Sequence, residues 1–327
     1  MRPGIKRAAR WLALAALLVL LALFARTVDW RTTWSAIAGA SLPLLLAATI
    51  ANLGSLAAKG VMWWIFLRPL GARSMELAMR ATLVGAALSN LLPANAGEGA
   101  RTLLVAREGR VPAAAVLGTL AAERLLELVP FVLFIAFVAP FLSLPRDIER
   151  WTRPALLALA ALAIAVVGGM MLVRRLRRGR VPGGVDVAAL TGWRRFRARL
   201  ADGLATASSA RRVLAATALS CASWLLQAVT YHLTARALAL PITFAGTLAA
   251  LVIVNASFFA RVTPGSVGLV QLLYAGTAVA LGLSRDRAVA VSLVLQALQI
   301  IPVTLMGVAL APRSLLARSA ELSARGD

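Results

Sequence analysis

The chain has 327 residues, 60% of them hydrophobic, and a formal net charge of +22 from 35 basic and 13 acidic side chains. A mean hydropathy of +0.82 excludes an ordinary soluble domain and leads us to expect an all-α polytopic membrane protein. One cysteine, Cys221, and one histidine, His232, exclude an internal disulfide and a Cys/His zinc site and leave few places for His- or Cys-based catalysis.

Arg2, Lys6, Arg7 and Arg10 precede an apolar run over 11–25, read as an uncleaved first span, with Trp30 and Trp34 suited to the far interface. A second span is expected over 42–67. Lys59 lies near its end, either snorkelling out or serving a site on the face it shares with Asn52. Residues 75–91 are apolar but short of the roughly 20 needed to cross. Further spans are expected over 112–142 and 154–173. Between 174 and 212 come eleven Arg and two Asp, with 193–210 reading as a basic interfacial helix carrying Trp193, Phe196 and Leu200 at helical spacing. Residues 213–236 cross again, with His232 read as a satisfied interior histidine. Two short apolar segments, 244–260 and 267–283, flank RVTPGSVG, and 287–311 is the last span before a polar tail over 312–327.

Six full spans with the N-terminus inside place 21 basic and 5 acidic residues in the inner segments, against 5 and 3 in the outer ones. That asymmetry puts both termini and 174–212 in the cytoplasm. It also explains the charge without nucleic-acid binding. The chain reads as a single membrane domain, 1–327, with its bundle over 10–311.

Within the apolar sequence, Glu98, Arg101, Glu123, Arg124 and Glu127 stand out. Ionised groups at membrane depth are costly and face a bundle interior or a wet cavity. Pro93 to Gly97 and Pro264 to Gly268 form two Pro-x-x-x-Gly breaks between short apolar helices, with Gly99 and Gly265 beside them. A second proline follows each break, Pro130 and Pro302. Arg124 and Gln296 lie six residues before these prolines, and Glu127 and Gln299 three before. The pattern predicts an inverted repeat with two re-entrant helix pairs, a pointer to a transporter site. A helix beginning near Gly99, with Arg101 on its first turn, offers free N–H groups to a lipid phosphate. The same residues also allow Glu98 to pair with Arg101, and Glu123 with Arg101 or Arg107.

LPANAGEGARTLL, then AAERLLEL, and later TPGSVGLVQ resemble the integral-membrane region of lysylphosphatidylglycerol synthases, over about residues 10–311. The resemblance implies a flippase-like, stand-alone membrane protein with roles for Glu98, Arg101, Glu123, Arg124 and the Pro264–Gly268 break. The chain carries Asn95 where relatives often have Arg, and Gln271 where they often have Glu. It ends at Asp327 without the soluble aminoacyl-transfer domain of full-length synthases, so aminoacyl transfer is not expected of it.

The expectation is a non-enzymatic lipid translocase in the cell membrane, handling anionic phospholipid or polyprenyl-phosphate-linked lipid. Glu98, Arg101, Glu123, Arg124 and Glu127 are its headgroup site, and Lys59, Gln271, Gln296 and Gln299 are secondary candidates. No cofactor or metal is expected. The partners are membrane lipids and envelope-biosynthesis proteins. No nucleotide-binding loop is present, so transport would be passive or gradient-coupled. The alternatives are an accessory protein of envelope biogenesis and a polyprenyl-dependent glycosyltransferase using Asp147 and Glu149.

Overall fold

The computed structural model describes residues 24–91, 96–138, 192–206, 209–256 and 266–311, with scattered positions between 154 and 169. Among these residues the regular structure is entirely helical: α1 (Trp30–Ala38), α2 (Leu42–Leu67), α3 (Met75–Leu91), α4 (Ala96–Glu108), α5 (Ala113–Val138), α6 (Gly192–Ala205), α7 (Ala210–Ala237), α8 (Phe244–Ala256), α9 (Leu269–Ala280) and α10 (Arg285–Leu310). A 3-10 turn, Arg68–Leu70, follows α2. Several helix starts are capped by the residue just before them, which satisfies an orphan N–H. Asp29 accepts from the Arg31 and Thr32 amides at 2.9 and 3.3 Å. Ser74 Oγ accepts from the Leu77 amide at 3.1 Å. Thr243 Oγ1 accepts from the Gly246 amide, also at 3.1 Å.

Three helices, Leu42–Leu70, Ala210–Ala237 and Arg285–Leu310, are long and apolar enough to cross a membrane. They match the spans expected over 42–67, 213–236 and 287–311. Large apolar side chains on their flanks, Leu46, Ile50, Leu214 and Leu305, are exposed, as suits lipid rather than water. Within the span expected over 112–142, residues 113–138 form the 26-residue α5, which carries three ionised residues and is not among those three helices. The spans over 11–25 and 154–173, the loop over 174–191 and the tail over 312–327 lie outside the continuously described residues, as do Asp147 and Glu149. The basic helix expected over 193–210 is α6, which ends at Ala205 and has Trp193 stacked on Phe196 at 5.2 Å.

The chain divides into two compact units, one of residues 1–50 and 228–300, the other of 51–227 and 301–327. In the second, α3 packs on α4, and α5 on α6. Glycines make both contacts close. A Cβ at Gly97 would overlap the Gly85 carbonyl oxygen, and one at Gly203 would overlap that of Ala115. In the first, α8 packs on α9, and Thr230 donates to the Ala48 carbonyl at 3.3 Å. His232 Nδ1 lies 3.1 Å from Thr247 Oγ1, so it has a partner, as expected of an interior histidine.

The two stretches around the breaks are built alike. Helices α3, α4 and α5 have 17, 13 and 26 residues; α8, α9 and α10 have 13, 12 and 26. Four residues, 109–112 and 281–284, join the last two helices of each triplet. Pro130 is the eighteenth residue of α5, and Pro302 the eighteenth of α10. Arg124 and Gln296 are each twelfth, and Glu127 and Gln299 each fifteenth. The expected equivalence of the long helices therefore holds at one register. The glycines do not share a register. Gly97 is the second residue of α4, whereas Gly268 precedes α9 as its N-cap, at φ +86°. The cause is that α4 starts at Ala96 rather than near Gly99. Gly97 and Gly99 are thus helical, which corrects their assignment to a non-helical break. Pro93, Pro264 and Gly265 lie outside the described residues.

Candidate functional site

The ionised residues singled out in the sequence converge in the second unit. Helix α2 supplies Lys59 and Trp63, one turn apart. Helix α4 supplies Glu98 and Arg101, and α5 supplies Thr119, Glu123, Arg124 and Glu127. Spacings of three and four keep Lys59 with Trp63, Glu98 with Arg101, and Thr119 with Glu123 and Glu127 on one helical face, while Arg124, next to Glu123, is turned off it. Glu123 lies about 15 Å along α5, at about 1.5 Å per residue, so its charge sits well inside the helix.

The inner half of the cluster is closed. Arg101 and Glu123 are 6% and 2% exposed. Their side chains meet fork to fork, with Nη1–Oε1 at 3.3 Å and Nη2–Oε2 at 2.8 Å. The Arg101 guanidinium lies 3.8 Å above the Trp63 ring, and Trp63 Nε1 donates to Thr119 Oγ1 at 3.0 Å. A bidentate pair and a cation–π contact together repay part of the desolvation of both ions. Both terminal nitrogens of Arg101 are used by Glu123, so this arginine is a clamp between α4 and α5.

The outer half is open. The Arg124 side chain is 55% exposed. It pairs with Glu98 through Nη2 and with Glu127 through Nη1, the latter at 2.8 Å. Lys59 Nζ lies 3.3 Å from Glu127 Oε1. Glu98 Oε2 has no hydrogen-bond partner among the described residues and stands 3.9 Å from Arg101 Nη1. Lys59 therefore turns toward Glu127. Arg107 takes no part, and its neighbour Glu108 pairs with Arg80. Three carboxylates face three cations, so the cluster is neutral as a whole.

Of the residues foreseen, Glu98, Arg101, Glu123, Arg124, Glu127 and Lys59 come together here. Trp63 and Thr119 were not foreseen, although each lies four residues from a charged member, Lys59 and Glu123. Gly97 supports the cluster by letting α4 approach α3. Gly99 has open space where a Cβ would lie.

Gln271, Gln296 and Gln299 fall in the other unit. The Gln271 side-chain amide donates to Gln296 Oε1, and its own Oε1 accepts from the Gly268 amide at 2.7 Å. Gln299 bonds to the buried Tyr231 hydroxyl. Among the described residues, no group of three or more His, Cys, Asp or Glu is placed to hold a metal.

Residues 10–307 match the family described as the lysylphosphatidylglycerol synthase TM region. The chain belongs to that family. The match spans most of the sequence and takes in every residue of the charged cluster. It makes the chain a membrane protein of lipid and envelope biogenesis. No curated protein matches it well enough to count as a relative.

Proposed function

We propose that the protein is a lipid translocase of the cell membrane that takes an anionic or polyprenyl-phosphate headgroup at Arg124. The observation that carries this reading is the split in the charged cluster. Arg101 is sealed against Glu123, whereas Arg124 is half-exposed at mid-helix between two carboxylates. An exposed guanidinium in ordinary water gains little from a salt bridge. At membrane depth it has few partners, and a lipid phosphate can replace Glu98 in its fork. Lys59 then keeps Glu127 neutralised. The short helices on either side of each break support re-entrant pairs. At 12 to 17 residues each they fall short of a span of about 20. In this reading both termini are cytoplasmic and the protein is not an enzyme.

The test compares Arg124→Gln with wild type by native mass spectrometry of the detergent-purified protein with retained lipid, alongside thermal stability. Loss of retained anionic lipid with unchanged stability supports the reading. Unchanged retention with lowered stability favours a second one, an accessory protein in which the cluster only joins helices. That alternative draws on the balance of three carboxylates against three cations.

A further inference from the structure

A second basic site is built from residues that play no part in the Arg124 cluster. A cavity of about 720 Å³ lies where the end of α2 and its 3-10 turn meet the start of α7, lined by Arg68, Arg73, Arg211 and Arg212 with Trp64 and Pro69. Among the described residues, no carboxylate lines it. Arg68, Arg73 and Arg211 make no ion pair among the described residues. Arg68, Arg73 and Arg211 are like charges lining one space; they repel one another, and an anion relieves that cost.

The cavity wall is held in place. The Arg68 guanidinium rests over the Trp64 ring at 5.5 Å. Trp64 Nε1 donates to the Arg73 carbonyl at 2.8 Å. Between the two arginines the chain reverses at Gly71, whose φ of +105° suits glycine. A fixed guanidinium loses less entropy on binding than a free one, and its fork matches a phosphate. Ile65 and Pro69 form an apolar side to the same cavity. Leu214, one turn along α7 from Arg211, is 75% exposed. Such a site offers guanidinium groups to a headgroup and an apolar flank to its chains. The volume suits a headgroup-sized ligand.

We infer that this cavity docks the phosphate of an anionic lipid. Residues 68–80 and 174–212 carry the basic excess that marks the cytoplasmic face, so the lipid belongs to the inner leaflet. The inference does not rest on the role of Arg124.

The test uses the full chain in phosphatidylcholine nanodiscs doped with phosphatidylglycerol or phosphatidic acid, with retained lipid read by native mass spectrometry. Arg73→Gln with Arg211→Gln is expected to lower retention of both anionic lipids about tenfold or more. Phosphatidylcholine retention and melting temperature should stay unchanged. Arg107→Gln with Arg110→Gln makes the same charge change elsewhere and should leave retention intact. Arg73→Lys with Arg211→Lys keeps the charge without the fork, should give intermediate retention, and stands in if the Gln variant misfolds. Equal retention in the Gln variant, equal loss in the control pair, or wild-type retention in the Lys pair alongside a misfolded Gln variant overturns the site. If inorganic pyrophosphate protects against melting as well as phosphatidic acid does, the ligand is a soluble phosphate and the lipid assignment fails.

Discussion

In α4 and α5 the third residue of the short helix is Glu98, and it pairs with the twelfth residue of the long helix, Arg124. In α9 and α10 the same two registers hold Gln271 and Gln296, joined by a neutral hydrogen bond. The sixth and eleventh residues are Arg101 and Glu123 in one triplet, Tyr274 and Leu295 in the other. One scaffold thus carries two chemistries. The neutral version shows that helix pairing at this register needs no ions. Ions in the charged version bring a desolvation cost that an amide pair avoids, and this is why the charged copy is the better place to look for function.

The largest expected effect follows from the sealed pair. Arg101→Ala or Glu123→Ala leaves one buried ion unpaired and should cost about 3–5 kcal/mol, seen as a much lower melting temperature in detergent. The neutral triplet supplies the repair. Arg101→Tyr with Glu123→Leu copies Tyr274 and Leu295 and should recover most of that loss. If the double variant is no more stable than the singles, the register match between triplets has no energetic meaning.

The next contrast is between neighbouring glycines. Gly97→Ala drives a methyl into the Gly85 carbonyl and should destabilise by about 1–3 kcal/mol. Gly99→Ala meets open space on the same helix and should stabilise by about 0.5–1 kcal/mol through helix propensity. Equal effects in a thermal melt would refute close packing as the reason for Gly97.

These glycines mark where the sequence stops being legible. The long spans, α6 and the charged residues can be read from hydropathy and from costly ions in apolar runs. The offsets before Pro130 and Pro302 set the register of the long helices. The pairing inside the cluster cannot be read, because Glu98, Arg107 and Glu123 are all in reach of an oppositely charged neighbour by spacing alone. Gly97 misleads because a glycine before a helix and one that admits a neighbouring backbone look the same in sequence. Arg68 and Arg73 meet Arg211 and Arg212 only through the fold, since α3, α4, α5 and α6 all intervene along the chain.

Converting the outer charged pair to its neutral counterpart sharpens the comparison with a smaller effect. Glu98→Gln with Arg124→Gln reproduces Gln271 and Gln296. Because Arg124 is half-exposed and an amide pair takes the place of the ion pair, the change should alter stability far less than breaking the sealed Arg101–Glu123 pair does. Retained anionic lipid should fall in the same preparation. A folded double variant that keeps its lipid removes Arg124 from the headgroup site.

The smallest effect lies outside both triplets and asks where the first unit responds to acid. Asp29 caps α1, and its own amide donates to Asp286 Oδ1 at 3.0 Å. The Thr32 hydroxyl, which donates to Asp29 Oδ2 at 2.8 Å, and then the Thr32 amide hold its carboxyl below the ordinary value of 3.8. A depressed folded value makes the ionised form the stabilising one. The contribution is therefore complete above about pH 3.8 and is lost as pH falls through the lower folded value. Asn in this position still accepts the helix N–H bonds but cannot titrate. Asp29→Asn should thus melt like wild type at neutral pH and lose less stability than wild type on acidification below that value. A parallel acid profile for the two proteins would show that the cap carries no titration-linked stability.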